Sequence, residues 1–450
     1  MSLYTNLVCN LLFPLQEHFK HHDTCRIRNA MEESQWWPAE RLEAFRIERL
    51  RAFLEKISRE VPYYGALFRQ TGFDPSSVKS ISELEKLPFL TKEVIRANTE
   101  SMKNTQAQGL ARFNTGGSSG EPLIFFLGNE RVSHDVAAKW RATRWWNVDI
   151  GDPEIVVWGS PIELGTQDKL RAIRDTLMRT ELLPAFEMSA EKVDGFIRRI
   201  REKKPRMLFG YPSAISHIAK RAKETGIQLD DLGLRVVFCT SERLYDHQRQ
   251  VISEAFGCPV ANGYGGRDAG FIAHECPAGG MHITAEDIIV EIVDTTGNLV
   301  SPGEIGEIVV THMATSEFPF VRYRTGDIGS LSTDKCACGR GLPQLKSIEG
   351  RSTDFLVARD GTVMHGLALI YVIRDVQGVK TFKIVQESLD KTSVLLTIDA
   401  TYQDASTQSI ADGLRRRLGQ DVEIQIDIVN EIPAERSGKF RYVISRVSAN

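Results

Sequence analysis

The chain has 450 residues, 42% hydrophobic and 26% charged, with a formal net charge of −3; this length gives two or three domains with ample core, and no basic excess points to nucleic acid. No apolar run reaches the ~18 residues of a transmembrane helix, and the N-terminus lacks the basic start and small-residue cleavage site of a signal peptide. Seven cysteines, unevenly placed, do not read as a disulfide framework, so a cytoplasmic protein with thiols available for metal is expected.

The first 110 residues read as mainly helical. Leu3, Leu7, Val8, Leu11, Leu12 and Leu15 recur at helical spacing, which fits either a helix packed on the body or one lying on a membrane surface. Glu40 to Lys56 is a long amphipathic pattern, and Ile81 to Asn98 is another, broken at Pro88. From about 113 to 330, β-rich runs such as 155–158, 207–209 and 234–238 each end in small or turn residues and are followed by helical stretches. Repeated strand, turn and helix predicts an α/β domain with mostly parallel strands, whose ligands bind beyond the carboxyl ends of those strands. From about 284 the pattern becomes antiparallel, with strands at Asp287–Asp294 and Glu304–Thr311 around Thr296-Gly297-Asn298. After Gly350-Arg351 comes a smaller α+β series: a strand at Asp354–Ala358, a helix at Leu367–Val376, strands at Thr381–Gln386 and Ser393–Ile398, a helix at Thr407–Leu418 and a strand at Val422–Val429. The expected domains are therefore 1–351 and 352–450. The basic clusters near 198–204 and 415–417 fall inside amphipathic patterns and read as solvated helix faces.

Five segments carry residue types suited to chemistry. Thr115-Gly116-Gly117-Ser118-Ser119-Gly120, followed by Glu121-Pro122, combines glycines that let backbone approach a ligand with hydroxyl and N–H donors that form an anion-binding concavity. It is not a Walker loop, because the G-K-[ST] ending is missing. Asn262-Gly263-Tyr264-Gly265-Gly266-Arg267-Asp268 reads as a glycine-rich turn after a short strand at Cys258–Ala261; it offers an aromatic face and a carboxylate, and it fails the dinucleotide fingerprint. Tyr323-Arg324-Thr325-Gly326-Asp327 places an acid where it could accept from both ribose hydroxyls. Gly350-Arg351-Ser352-Thr353-Asp354 lies at the domain boundary, where a hinge would sit. Ser437-Gly438-Lys439 puts a mobile point charge on a polar loop. Separately, Cys276-x5-His282 and Cys336-x-Cys338 supply three thiolates and one imidazole, a tetrahedral set for structural Zn²⁺, with His274 as a spare. The other reading of that set is a group of buried free cysteines. Cys239 and Cys258 read as core.

Taken in order, TGGSSGEP, NGYGGRD, YRTGD, GRSTD and SGK resemble the motifs of the adenylate-forming superfamily of acyl-, aryl- and luciferase-type ligases, across nearly the whole chain. Val61-Pro62-Tyr63-Tyr64, Leu87-Pro88-Phe89-Leu90-Thr91-Lys92 and Cys336-Ala337-Cys338-Gly339-Arg340 resemble the phenylacetate–coenzyme A ligase-like branch. The ending IPAERSGKFRYVIS resembles that branch's capsular-polysaccharide-associated group. The resemblance implies a large ATP- and carboxylate-binding domain and a small mobile C-terminal one. It assigns Thr115 to Gly120 to the β- and γ-phosphates, Ser241, Glu242 and Asn262 to Gly265 to adenine, and Asp327 to ribose. Arg351 would lie near ribose and phosphate, Asp354 would be the hinge, and Lys439 would contact the carboxylate and α-phosphate during adenylation. Tyr211, Pro212, Trp158 and Gly159 would line the pocket for an apolar or aryl acid.

Two features depart from the family pattern. Glu121 stands where many relatives have Lys, and Arg267-Asp268 replaces the usual Ser/Thr-Glu pair, so a Mg²⁺ contact from Asp268 would pass through water. The implied reaction forms an acyl-AMP and pyrophosphate from ATP, then passes the acyl group to coenzyme A. An amine of a sugar or amino acid is the alternative acceptor, and a non-catalytic nucleotide-binding regulator is the alternative from another class.

Overall fold

A computed structural model describes residues 2–114, 123–158, 168–185, 188, 190–351, 355–360, 363–365, 367–373, 376–432 and 443–447. The chain divides into two compact units, residues 1–325 with 329–348 and residues 349–450 with 326–328.

The first unit begins with helices. α1 (Leu3–Leu7) runs through a π-helical turn at Val8–Leu12 into α2 (Phe13–Phe19), followed by α3 (Thr24–Ser34), α4 (Ala39–Glu60) and α5 (Pro62–Thr71). Pro62 opens α5, where its missing N–H costs nothing. Gly72 closes it in the left-handed conformation that terminates many helices. The expected break at Pro88 separates a 3₁₀ segment, Ile81–Lys86, from α6 (Lys92–Asn98). The N-terminal leucine pattern splits between two surroundings. Val8 and Phe13 pack with Trp140 and Ile150, whereas Leu3, Leu7, Leu11, Leu15 and Phe19 are exposed.

A hairpin of β1 (Ala111–Asn114) and β2 (Ile124–Leu127) flanks 115–122, and α7 (Asn129–Arg144) follows. The central sheet then accumulates: β3 (Glu154–Trp158), α8 (Asp168–Met178), β4 (Thr180–Pro184), α9 (Ala190–Lys203), β5 (Met207–Gly210), α10 (Pro212–Glu224), β6 (Val236–Thr240), α11 (Asp246–Phe256) and β7 (Val260–Gly266). The chain continues through β8 (Gly270–Glu275), β9 (Met281–Ile283), β10 (Ile288–Val293), β11 (Gly306–His312), β12 (Phe320–Leu331) and β13 (Gln344–Arg351). The eleven strands order as β10-β11-β12-β13-β9-β8-β7-β6-β5-β3-β4.

Within the central sheet β3 to β7 pair in parallel, and its first antiparallel ladder is β7 with β8. The switch therefore comes some twenty residues before the sequence pattern suggests. Along β5 and β6, Met207, Phe209, Val236 and Phe238 face one core, with Leu50, Phe53 and Ile57 of α4. Leu208, Val237 and Cys239 face the other, with Val193, Ile215 and Ile252 of the crossover helices. This two-sided burial makes the parallel strands continuously apolar.

The second unit holds a hairpin of β14 (Phe355–Val357) and β15 (Val363–His365), then α12 (Leu367–Ile373), β16 (Val379–Gln386), β17 (Lys391–Ile398), α13 (Asp404–Leu418), β18 (Glu423–Ile428) and β19 (Val443–Ser445). Its sheet orders as β18-β17-β16-β19, with Leu369, Ile373, Ile410 and Leu414 of the helices packed on Phe382, Ile384, Val394 and Leu396. The whole is a mixed α/β fold of a large and a small unit.

Candidate active site and metal centre

The parallel register brings the strand exits level. Val157 pairs with Gly210, Gly210 with Cys239, and Cys239 with Asn262. Trp158 ends β3, and Tyr211 follows β5 as the cap before Pro212, the first residue of α10. Their rings stack at 4.5 Å and 27°. Phe209 and Phe238 continue the row on the neighbouring strands. Tyr211 is buried; burial, with the nearby Glu242 carboxylate, holds its hydroxyl well above the usual phenol range.

At the exit of β6 the backbone itself is unusual. Ser241 sits at φ 68°, a left-handed conformation that costs a non-glycine residue on the order of 1–3 kcal/mol and clusters at functional sites. Glu242 turns back to accept from the Ser213 N–H at 3.2 Å, tying this exit to the first turn of α10. On β7, the Asn262 N–H donates to Glu275 at 2.7 Å, and Arg249 holds the same carboxylate at 2.8 Å. Trp158, Tyr211, Ser241, Glu242 and Asn262 thus gather at one edge of the sheet, where small-molecule sites of α/β sheets lie.

Asn262–Asp268 is more ordered than a glycine-rich turn. Val260–Gly266 is one strand, and only Arg267–Ala269 turns before β8. Its glycines serve close packing: a Cβ at Gly265 would collide with the Gly270 carbonyl oxygen, and the ladder carries a bulge between Tyr264 and Gly265. In the turn, Asp268 accepts from the Tyr323 hydroxyl at 2.6 Å through one oxygen and from the Ala269 N–H at 3.1 Å through the other. Tyr323 is buried within β12, so the YRTGD segment lies inside a strand, not after one. Its hydrogen bond to Asp268 joins two motifs that sequence reading kept apart. Asp327 is half-buried further along β12, and Arg351 is the last residue of β13. Thr115, Gly116, Gly117, Ser118, Ser119, Gly120, Gly159, Asp354 and Lys439 lie outside the described residues.

The second cluster is elsewhere on the same unit. The ligand atoms of Cys276, His282, Cys336 and Cys338 all lie within 4.8 Å of one another. Cys276 and Cys336 sulfurs are 3.6 Å apart, and His282 Nε2 is 3.2 Å from the Cys338 sulfur. A tetrahedral zinc with Zn–S near 2.3 Å spaces its sulfurs at roughly 3.8 Å, so the donor set and spacing fit that ion. His282 Nδ1 lies 3.3 Å from the Leu342 carbonyl, the outer contact that orients a metal-binding imidazole. Burial lowers the His282 imidazole to about 4, keeping it in the neutral form a metal requires. Burial also raises the Cys276 thiol to about 12, which favours thiol over thiolate until a cation arrives. Gly280 leaves room: a Cβ there would strike the Cys336 sulfur and the Gln344 side chain.

His274, the spare ligand of the sequence reading, does not join this group. It is buried between the Phe238 and Phe271 rings, and neither ring nitrogen hydrogen-bonds to a described residue. Cys239 and Cys258 are buried in the core, as expected.

Comparison with known proteins places these features in a family context. Residues 182–317 match the AMP-binding enzyme family, and residues 356–446 match the CapK C-terminal domain. Protein CapK of Staphylococcus aureus is 26% identical over 414 residues, covering 89% of this chain and 88% of that protein. Phenylacetate-coenzyme A ligase of Thermus thermophilus is 22% identical over 444 residues, covering 92% and 98%. Among solved structures, 2-hydroxyisobutyryl-CoA ligase in complex with 2-HIB-AMP, in its postadenylation state, superposes with a TM-score of 0.74 at 21% identity, covering 92% of this chain and 91% of that one; the likeness there is one of fold.

Proposed function

Because the chain belongs to the adenylate-forming superfamily, in the phenylacetate–coenzyme A ligase-like branch that includes the CapK group, we propose that it activates a carboxylic acid with ATP and then transfers the acyl group to coenzyme A. The observation that carries this reading is the level row of strand exits, where the stacked rings of half-buried Trp158 and buried Tyr211 stand beside Ser241, Glu242 and Asn262. An aromatic wall next to strand ends suits an apolar or aryl acid lying against a nucleotide.

A carboxylate is a poor electrophile because its leaving group would be oxide; transfer to AMP makes a mixed anhydride with a good one. On this reading Thr115 to Gly120 cradle the β- and γ-phosphates. Ser241, Glu242 and Asn262 to Gly265 line adenine, Asp327 holds ribose, and Arg351 lies by ribose and phosphate. Lys439 meets the charge that develops at the α-phosphate. Rotation of the small domain about Asp354 then removes Lys439 and admits the acceptor. Asp268 would hold Mg²⁺ through water: each of its oxygens accepts one protein hydrogen bond and keeps a lone pair for a second partner. Zn²⁺ in the Cys276, His282, Cys336 and Cys338 set would be structural.

ATP–pyrophosphate exchange across a panel of carboxylic acids tests the first half-reaction without knowledge of the acceptor. Exchange with at least one acid is expected; none with any acid would overturn the reading in favour of a nucleotide-binding regulator. The match of 356–446 to the CapK C-terminal domain favours a second reading for the acceptor, an amine on a sugar or amino acid in polysaccharide synthesis. Supplying coenzyme A or amino sugars to the activated acid and identifying the thioester or amide separates the two. Among the described residues, no helix is long and apolar enough to cross a membrane.

A further inference from the structure

The turn that carries Asp268 is gripped from behind by one buried guanidinium. Arg131, on α7, is 1% exposed. Its Nη1 donates to the Asp268 carbonyl and its Nη2 to the Arg267 carbonyl, each at 3.4 Å. Its Nε donates to Asp135 at 2.7 Å. On the far side of Asp135, His312 Nε2 lies 3.6 Å from the other carboxylate oxygen. Burial alone would raise the Asp135 carboxyl, but Arg131 and His312 hold it below its ordinary value, so the pair stays ionised.

The chain is shaped for this fork. Gly270 leaves the turn at φ 87°, and a Cβ there would sit 2.8 Å from the His312 ring and 2.9 Å from Arg131 Nη2. Burying a guanidinium costs free energy unless its donors are well used. Here they go to the two carbonyls on either side of the Asp268 backbone, an arrangement that a planar fork can make and an ammonium cannot. The Tyr323 hydroxyl fixes the carboxylate at its tip, while Arg131 fixes the backbone at its root.

We propose that Arg131 is a positioning residue for adenylation, setting the Arg267–Ala269 turn so that the Asp268 carboxylate faces the bound nucleotide and its cation. The proposal rests on the reading of Asp268 given above, and it acts entirely through that residue.

The test compares Arg131→Met and Arg131→Lys with wild-type full-length protein. Hydrogen exchange in the peptide spanning 262–272 should speed up by at least about tenfold in R131M, because hydrogen bonds from a charged donor are lost. R131K keeps the ion pair with Asp135 and should fall between R131M and wild type; it also remains informative if R131M folds poorly. In ATP–pyrophosphate exchange, the Mg²⁺ needed for half-maximal rate should rise several-fold in R131M, with a smaller fall in rate at saturating Mg²⁺. Combined with Asp268→Asn, R131M should add little, since both changes remove one function. Wild-type protection of the turn in R131M, or effects that multiply in the double variant, would overturn the assignment. If wild-type protein exchanges pyrophosphate with no acid, the functional reading fails on its own, and the hydrogen-exchange result still decides whether Arg131 holds the turn.

Discussion

The edge where β3, β5, β6 and β7 end and the Cys276–His282–Cys336–Cys338 cluster are built in different ways. The first is made largely of backbone: a left-handed serine, a strand bulge, glycines packed against carbonyls and rings, and N–H groups held by Glu242 and Glu275. The second is made of four side chains that already sit at metal-ligand spacing, closed in by Trp145, Leu342 and Gly280. The contrast fits two kinds of guest. A shaped backbone edge suits a substrate that must leave, and a preset donor set suits a resident ion.

If that contrast is right, the two regions fail independently. The largest effect should come from Lys439→Ala, which should slow adenylation by ~10²–10³ while leaving zinc content and use of pre-formed acyl-adenylate intact. Wild-type pyrophosphate exchange in this variant would remove Lys439 from the mechanism. Cys338→Ser should do the reverse. Purified wild-type protein should carry about one zinc per chain, and the variant should lose it and melt lower by on the order of 5 °C, yet still catalyse exchange at temperatures where it is folded. Metal analysis that finds no zinc in wild-type protein prepared without chelator would dissolve the comparison.

Acid should expose a third, quieter weakness. Burial, helped by the charge of Arg141, lowers His274 to about 3; burial, helped by Arg131, lowers His312 to about 4. Between about pH 6.5 and pH 4 the unfolded chain therefore binds protons that the folded chain refuses, so stability falls as pH falls, by up to ~1.4 kcal/mol per pH unit for each group. Asp135 and Asp287, whose carboxyls are held below their usual range, stay ionised across this window and lose their contribution only at lower pH. Denaturant melts at pH 7 and pH 5 measure the loss, and equal midpoints would show that the two histidines are not buried in neutral form. The smallest effect is expected from Asp268→Asn, which should raise the Mg²⁺ requirement for exchange, with Asp268→Glu tolerated. Lower stability at an unchanged Mg²⁺ dependence would make Asp268 a purely structural residue.

Much of the architecture is legible in the sequence because it is written in local patterns. The amphipathic run at Glu40–Lys56 becomes Ala39–Glu60, and the apolar run before Gly210-Tyr211-Pro212 becomes β5 and the start of α10. The four metal-type side chains could be grouped by chemistry alone. What escapes is what local pattern cannot encode. The glycines of Asn262–Gly266 read as a turn, because composition does not distinguish a flexible loop from a strand pressed against its neighbour. Arg131, Arg141 with Glu286, and Tyr323 with Asp268 are contacts across 55 to 145 residues. A buried arginine has no periodic signature that separates it from a solvated one. His274 was a plausible ligand by spacing and is a core residue by packing.

The φ of 68° at Ser241 has a practical consequence for anyone who improves this protein. Glycine adopts that conformation without penalty, so a screen for heat resistance should drift toward Ser241→Gly and relieve the strain. The same change would give up a hydroxyl and a preset strand exit beside Glu242. If Ser241 serves the nucleotide as proposed, heat-selected variants of this chain need to be ranked by turnover as well as by melting point, because the two selections then pull one residue in opposite directions.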